Sequence, residues 1–209
     1  MSNAKTPTQP PDTGDTAHRF FVIQELLTSP DLARFYIDLL INTPATVTSV
    51  RTRQEFSKST GYKYANTLAE LGIAKELSEY DSGSALWHAD PVSGNWTGEM
   101  TLQLGPAMIA VYGATSVDSD LELFIDRHGK AALAPAIMAT INYLQGKTTR
   151  RGVATELGIP AVEAIAVTQA IERIIAVVKD FDPLLESLTF EVDVHDRAIE
   201  QGPYQHADE

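Results

Sequence analysis

Residues 45–77 read ATVTSVRTRQEFSKSTGYKYANTLAELGIAKEL, and the rest of the chain is best understood around them. A short helix carries Val47 and Val50, a turn follows at Phe56-Ser57-Lys58, and a second helix runs from near Ser59-Thr60 to Leu71-Gly72. Ser59 or Thr60 is expected to cap that helix, because a hydroxyl can accept from an orphan amide of the first turn. Gly72 suits the left-handed position after the last turn. Gly61, Ala65, Leu68 and Gly72 recur at helical spacing and mark the expected buried face. Tyr62, Lys63, Asn66, Thr67 and Glu70 mark the opposite one.

That second face carries amide, hydroxyl and ammonium groups, which are what base edges and phosphates require of a protein. Charge points the same way. The chain has 16 Lys+Arg against 28 Asp+Glu and a net charge of -12. Yet within residues 45–69 the basic Arg51, Arg53, Lys58 and Lys63 stand against Glu55 alone. A basic island in an acidic chain is the electrostatic footprint that a DNA backbone asks for. The alternative is a set of ordinary solvated charges on two small helices.

The 209 residues suffice for one large or two small domains, and 44% hydrophobic content supports a core. No apolar run of about 18 residues suggests a membrane span, and no charged-then-apolar leader opens the sequence. The absence of Cys removes disulfides, thiolate zinc sites and cysteine catalysis. A cytoplasmic protein without membrane association is expected. The acidity resembles that of proteins from salt-loving archaea, although an ordinary acidic bacterial protein has the same composition. In a halophile counterion release contributes little, so base contacts would matter more.

Residues 1–17 are Thr-, Pro- and Asp-rich and read as a disordered tail. Residues 18–27 suggest a short helix. Ser29-Pro30-Asp31 opens a clearer one, with a capping hydroxyl, Pro at the first position and an acid at the positive end. Leu32, Phe35, Tyr36, Leu39 and Leu40 form its core stripe, and Asn42-Thr43-Pro44 ends it. After Gly72, residues 73–79 alternate like a strand, Asp81-Ser82-Gly83-Ser84 is a turn, and residues 99–104 return. One long hairpin is expected, with Trp87 and Trp96 packing it on the body or on a partner. Its Glu76, Glu79, Asp81, Asp90 and Glu99 outweigh Lys75, so it is a poor phosphate binder.

Residues 105–197 read as a helical, dimer-forming domain, and residues 198–209 as a loose tail. Helices are expected over 106–112, 118–127 and 129–144. Residues 149–180 repeat the helix, turn and helix. Val153-Ala154, Leu157-Gly158-Ile159 and Pro160 fit such a turn better than the first motif does. There, Gln54 stands where a core Leu is usual and Glu55 where a Gly is usual. The helix after the second turn offers Val162, Glu163, Ile165 and Gln169 and then turns apolar almost all round, which suggests core plus a subunit interface. Lys147, Arg150 and Arg151 precede it as possible phosphate contacts. Residues 188–194 alternate like a strand.

No enzyme is expected. His18, His88, His128, His195 and His206 lack metal-ligand spacing, and no phosphate-cradling glycine loop or nucleophile elbow occurs. Asp193-Val194-His195-Asp196 could place two side chains on one strand face, but an exposed edge strand explains it as well. No catalytic group, metal or cofactor is assigned.

The pattern Ser59-Thr60-x-Tyr62-x-Tyr64-x-x-x-Leu68-x-x-Leu71-Gly72 within residues 29–104 resembles the winged helix-turn-helix domains of archaeal transcription regulators. The resemblance covers about a third of the chain. It implies a winged helix-turn-helix over residues 18–104; with the helical domain and its second helix-turn-helix-like unit, read from the residues alone, the chain is expected to be mainly α with a small β wing. It also implies sequence-specific binding of double-stranded DNA as a homodimer. Tyr62, Lys63, Asn66 and Thr67 would enter the major groove near Ser59 and Thr60, and Arg51, Arg53 and Lys58 would clamp phosphates. The competing expectations are a winged-helix protein-interaction module and a plasmid or viral replication or partition protein.

Overall fold

Serine and threonine hydroxyls, proline and glycine punctuate the chain where the sequence leads one to look. The computed structural model describes residues 13–97, 101–186 and 203–205. Helix α1 is Thr13–Leu26 and α2 is Pro30–Ile41. Ser29 Oγ accepts from the Leu32 amide, with Pro30 in the first turn. Strand β1 is Ala45–Thr46, α3 is Val47–Arg53 and α4 is Lys58–Glu70. Strands β2 (Ala74–Asp81), β3 (Ser84–Ala89), β4 (Gly94–Thr97) and β5 (Thr101–Leu104) follow. The remaining helices are α5 (Pro106–Ala114), α6 (Ser119–His128), α7 (Leu133–Leu144), α8 (Arg150–Leu157), α9 (Ala161–Val178) and the short α10 (Pro183–Glu186). The protein is mainly α with a small antiparallel sheet. No helix among the described residues is long and apolar enough to cross a membrane.

Several expectations are corrected. Residues 13–17 belong to α1 rather than to a tail; residues 1–12 lie outside the described residues. The cap of α4 is Ser57, whose Oγ accepts from the Thr60 amide at 3.2 Å, not Ser59 or Thr60. The single long hairpin is two ribbons. β2 and β3 meet across Ser82-Gly83, both at positive φ (49° and 79°), the backbone of a tight two-residue turn. β3 then takes β1 as its other neighbour, pairing Trp87 with Ala45, while β4 pairs only with β5. Trp87 is buried against the body. The Trp96 side chain and Glu99 lie outside the described residues, as does the strand expected at 188–194.

The core is continuous across the boundary expected at 104/105. One buried cluster runs from Val22 through α2, α3, α4, α5, α7 and α9 to Tyr204. Its centre is α2, where Leu32 to Ile41 are buried without interruption, including Arg34 and Asp38. An amphipathic stripe predicts burial on one side only. Helix α2 packs against α1, α3, α4 and β3 as well as α5. Helix α9 is similarly enclosed, by α5, α6, α7 and α8 of its own chain. The burial of Val167, Ile171, Ile174, Ile175 and Val178 therefore needs no second subunit. The tail expected at 198–209 is not loose at Tyr204, which is 1% exposed.

The two irregular residues of the first turn have distinct roles. Gln54 is buried and polar, the C-cap of α3. Glu55 adopts φ 58°, the left-handed conformation for which glycine is usual. A side chain there costs about 1 kcal/mol. Glu55→Gly should therefore raise stability by up to about 1 kcal/mol, a gain of roughly 2–4 °C in melting temperature for a chain of this size. A lower melting temperature in calorimetry would contradict the strain.

Candidate nucleic-acid interface

Helix α4 presents its two faces as its sequence dictates. Gly61, Ala65 and Leu68 are buried, and Gly72 ends the run at φ 71°, itself exposed. Gly61 lets α3 approach closely, since a Cβ there would sit 3.0 Å from Arg51 Cβ and 3.4 Å from Val47 Cγ1. The outer face carries Ser59, Tyr62, Lys63, Asn66 and Glu70, all exposed, with Tyr62 at 39%. Lys58 is exposed on the first turn. Around it Ser57 Oγ lies 3.0 Å from Ser59 Oγ and 2.8 Å from Thr60 Oγ1, so these hydroxyls orient one another. Lys58 and Lys63 have no ion-pair partner among the described residues. Half-buried Arg51 lies across Gly61, and its Nε has no hydrogen-bond partner among the described residues.

Two expected contacts depart from this face. Arg53 donates from Nε to both Asp38 carboxylate oxygens (3.0 and 3.2 Å) and from Nη2 to Oδ1. Asp38 is fully buried, so this bidentate pair fastens α3 to α2 rather than presenting a phosphate clamp. Thr67 donates its hydroxyl to Lys63 O at 3.0 Å. Half-buried Thr67 lines a groove toward α1 with Phe21, Gln24, Glu70 and Leu71.

A polar hub behind the face is absent from the sequence reading. Gln54 Nε2 donates to Asp38 Oδ2 at 2.7 Å and to Pro203 O at 3.1 Å. Arg34 Nη2 reaches Gln54 O at 3.3 Å, and its guanidinium lies 4.6 Å from the Phe56 ring centre. Phe56 meets Tyr64 of α4 edge-on at 5.4 Å. Burial raises the Asp38 carboxyl above the usual carboxylate range, opposed by Arg53 and Gln54. The one clue in the sequence was the odd Gln54.

The hairpin bounds the basic area. Glu76, Glu79, Asp81 and Tyr80 are exposed there beside Lys75. The second helix pair offers less to an anion. Arg150 is engaged with Glu172 at 3.3 Å and lies over Tyr143. Burial also raises Glu172 above the usual carboxylate range. Glu163 holds Arg127 and His128. The outer side of α9 shows Val162 (78% exposed), Ile165 and Gln169, and Lys147 and Arg151 are exposed around the start of α8.

Residues 115–180 match DUF7437, a family of unknown function. That match begins after α5 and ends with α9, so α3, α4 and the hairpin lie outside it. No curated protein and no solved structure matches the chain.

Proposed function

We propose that α3, α4 and the β2–β3 hairpin act as a winged helix-turn-helix, and that the protein is a sequence-specific, DNA-binding transcription regulator. The observation that carries this reading is the outer face of α4. Tyr62, Lys63 and Asn66 stand exposed on it, Lys58 and Ser59 are exposed on its first turn, and half-buried Arg51 of α3 lies against Gly61. Asn66 suits adenine through a bidentate amide contact, and Lys58 and Arg51 suit phosphates. Arg53 enters as a brace of α3 and Thr67 as a neighbour of α1. A dimer belongs to the proposal because paired half-sites require a two-fold pair of reading helices.

The test is selection of bound duplexes from fragmented genomic DNA at low and at molar salt. Enrichment of a few sites with inverted symmetry is expected. Lys63→Ala/Asn66→Ala should weaken the enriched duplex by about 100-fold, at roughly 1–3 kcal/mol per base contact. Lys58→Ala should weaken all duplexes alike and reduce the salt slope by about 1. An equal loss on every sequence for Asn66→Ala would remove its base-reading role. One observation favours a second reading, a protein-interaction module. The hairpin exposes Tyr80 (67%) between Glu79 and Asp81, where a phosphate backbone would be repelled. Failure to enrich any duplex at either salt would favour that module.

A further inference from the structure

We infer that Tyr204 is a positioning residue for α4, because the 203–205 segment straps the turn between α3 and α4 to α2 and α5. The inference rests on the reading of α4 as the DNA-contacting helix. The segment is held by contacts that a chance surface crossing would not supply. The Tyr204 ring is buried, and its hydroxyl donates to Ala110 O at 2.7 Å. Its seat exists because residue 113 is glycine: a Cβ there would lie 2.6 Å from the Tyr204 hydroxyl. On either side of the ring, side-chain amides grip the backbone. Gln54 Nε2 donates to Pro203 O, and Asn42 Nδ2 donates to Gln205 O at 3.0 Å.

Gln54 makes the strap matter to the reading helix. Its amide nitrogen joins Pro203 O to the carboxylate that fastens Arg53 of α3. Its backbone carbonyl takes Arg34, which lies over Phe56, and Phe56 packs on Tyr64 of α4. Each step is a direct contact between packed groups, as physical coupling requires. Lifting the strap removes one of the two acceptors of the Gln54 amide and opens a hole beside Arg34. The turn carrying Glu55 in its left-handed conformation then loses support.

The experiment compares full-length wild type, Tyr204→Ala and Tyr204→Phe. It measures binding to the strongest duplex from the selection and to an unselected genomic duplex, and amide hydrogen exchange across the chain. Tyr204→Ala should weaken the selected duplex by about tenfold and the unselected one by less than about threefold. Exchange should quicken at residues 50–57 while α9 keeps its protection. Tyr204→Phe, which keeps the ring, should bind within about threefold of wild type. If Tyr204→Ala does not fold, Tyr204→Leu, which fills part of the seat, is read in the same way. Wild-type affinity in a folded Tyr204→Ala chain, or protection lost equally everywhere, would overturn the inference. If wild type selects no duplex, the DNA reading falls, and the exchange pattern at 50–57 alone decides whether the strap holds the turn.

Discussion

Arg53→Met should lower stability by about 3 kcal/mol at neutral pH, because it strips the counter-charge from a carboxylate with no access to water. In the native protein Asp38 accepts from Arg53 and from Gln54. Burial already lifts its pKa, and Arg53 is the main opposing influence. Without the guanidinium the carboxyl rises further. A carboxyl whose folded pKa exceeds its unfolded value binds its proton more tightly in the folded state. In the variant the contribution of Asp38 to stability is therefore fully present in acid and is lost as pH rises through its folded pKa. Chemical denaturation followed from acid to neutral pH would show the gap to wild type widening with pH. Asp38→Asn in the Arg53→Met background should recover much of the loss, since it removes the stranded charge. A gap that is constant across pH would show that Arg53 acts by packing alone.

Gly113→Ala should cost about 3 kcal/mol, at the upper end of overpacking penalties. Alanine favours a helix over glycine by about 1 kcal/mol, so propensity alone predicts stabilisation. Geometry decides otherwise. The added Cβ would lie 2.8 Å from the Arg34 backbone nitrogen and 3.1 Å from its Cα, as well as 2.6 Å from the Tyr204 hydroxyl. A side-chain tip can move aside, but Arg34 belongs to α2, whose residues 32–41 are all buried among α1, α3, α4, β3 and α5. Thermal unfolding should show a melting temperature lower by roughly 6–12 °C. Removing the hydroxyl in Gly113→Ala/Tyr204→Phe should recover less than half, because the backbone clash remains. A melting temperature within about 2 °C of wild type would mean that α2 and α5 can separate freely.

These positions also mark where sequence reading succeeds and where it stops. Features determined by neighbours in the chain were legible. Ser29-Pro30 opens α2, and Gly72 takes a left-handed conformation where α4 ends. Ser57 was misread because hydroxyls stand at 57, 59 and 60, and only three-dimensional geometry chooses among them. Distant partners were not legible. Arg53 looked like a surface cation until Asp38, fifteen residues earlier, was placed beside it. The pairing of β3 with the two-residue β1 depended on how α2 and α3 turn the chain back. The apolar girth of α9 showed that it must be buried, but composition does not distinguish neighbours in the same chain from another subunit. On α4, the exposed and buried faces were readable from period alone, with Thr67 half-buried between them.

The seat of Tyr204 has a consequence for how the protein is made. The α2–α4 unit is translated before α5, which forms one wall of it, and before Tyr204, which packs into the same core. At roughly 5–20 residues per second, about 90 residues between Gly113 and Tyr204 take on the order of ten seconds to emerge from the ribosome. Through that interval the Arg34–Asp38–Gln54 hub stands open on a nascent chain. Helix α4 is therefore made well before the residue that completes its surroundings.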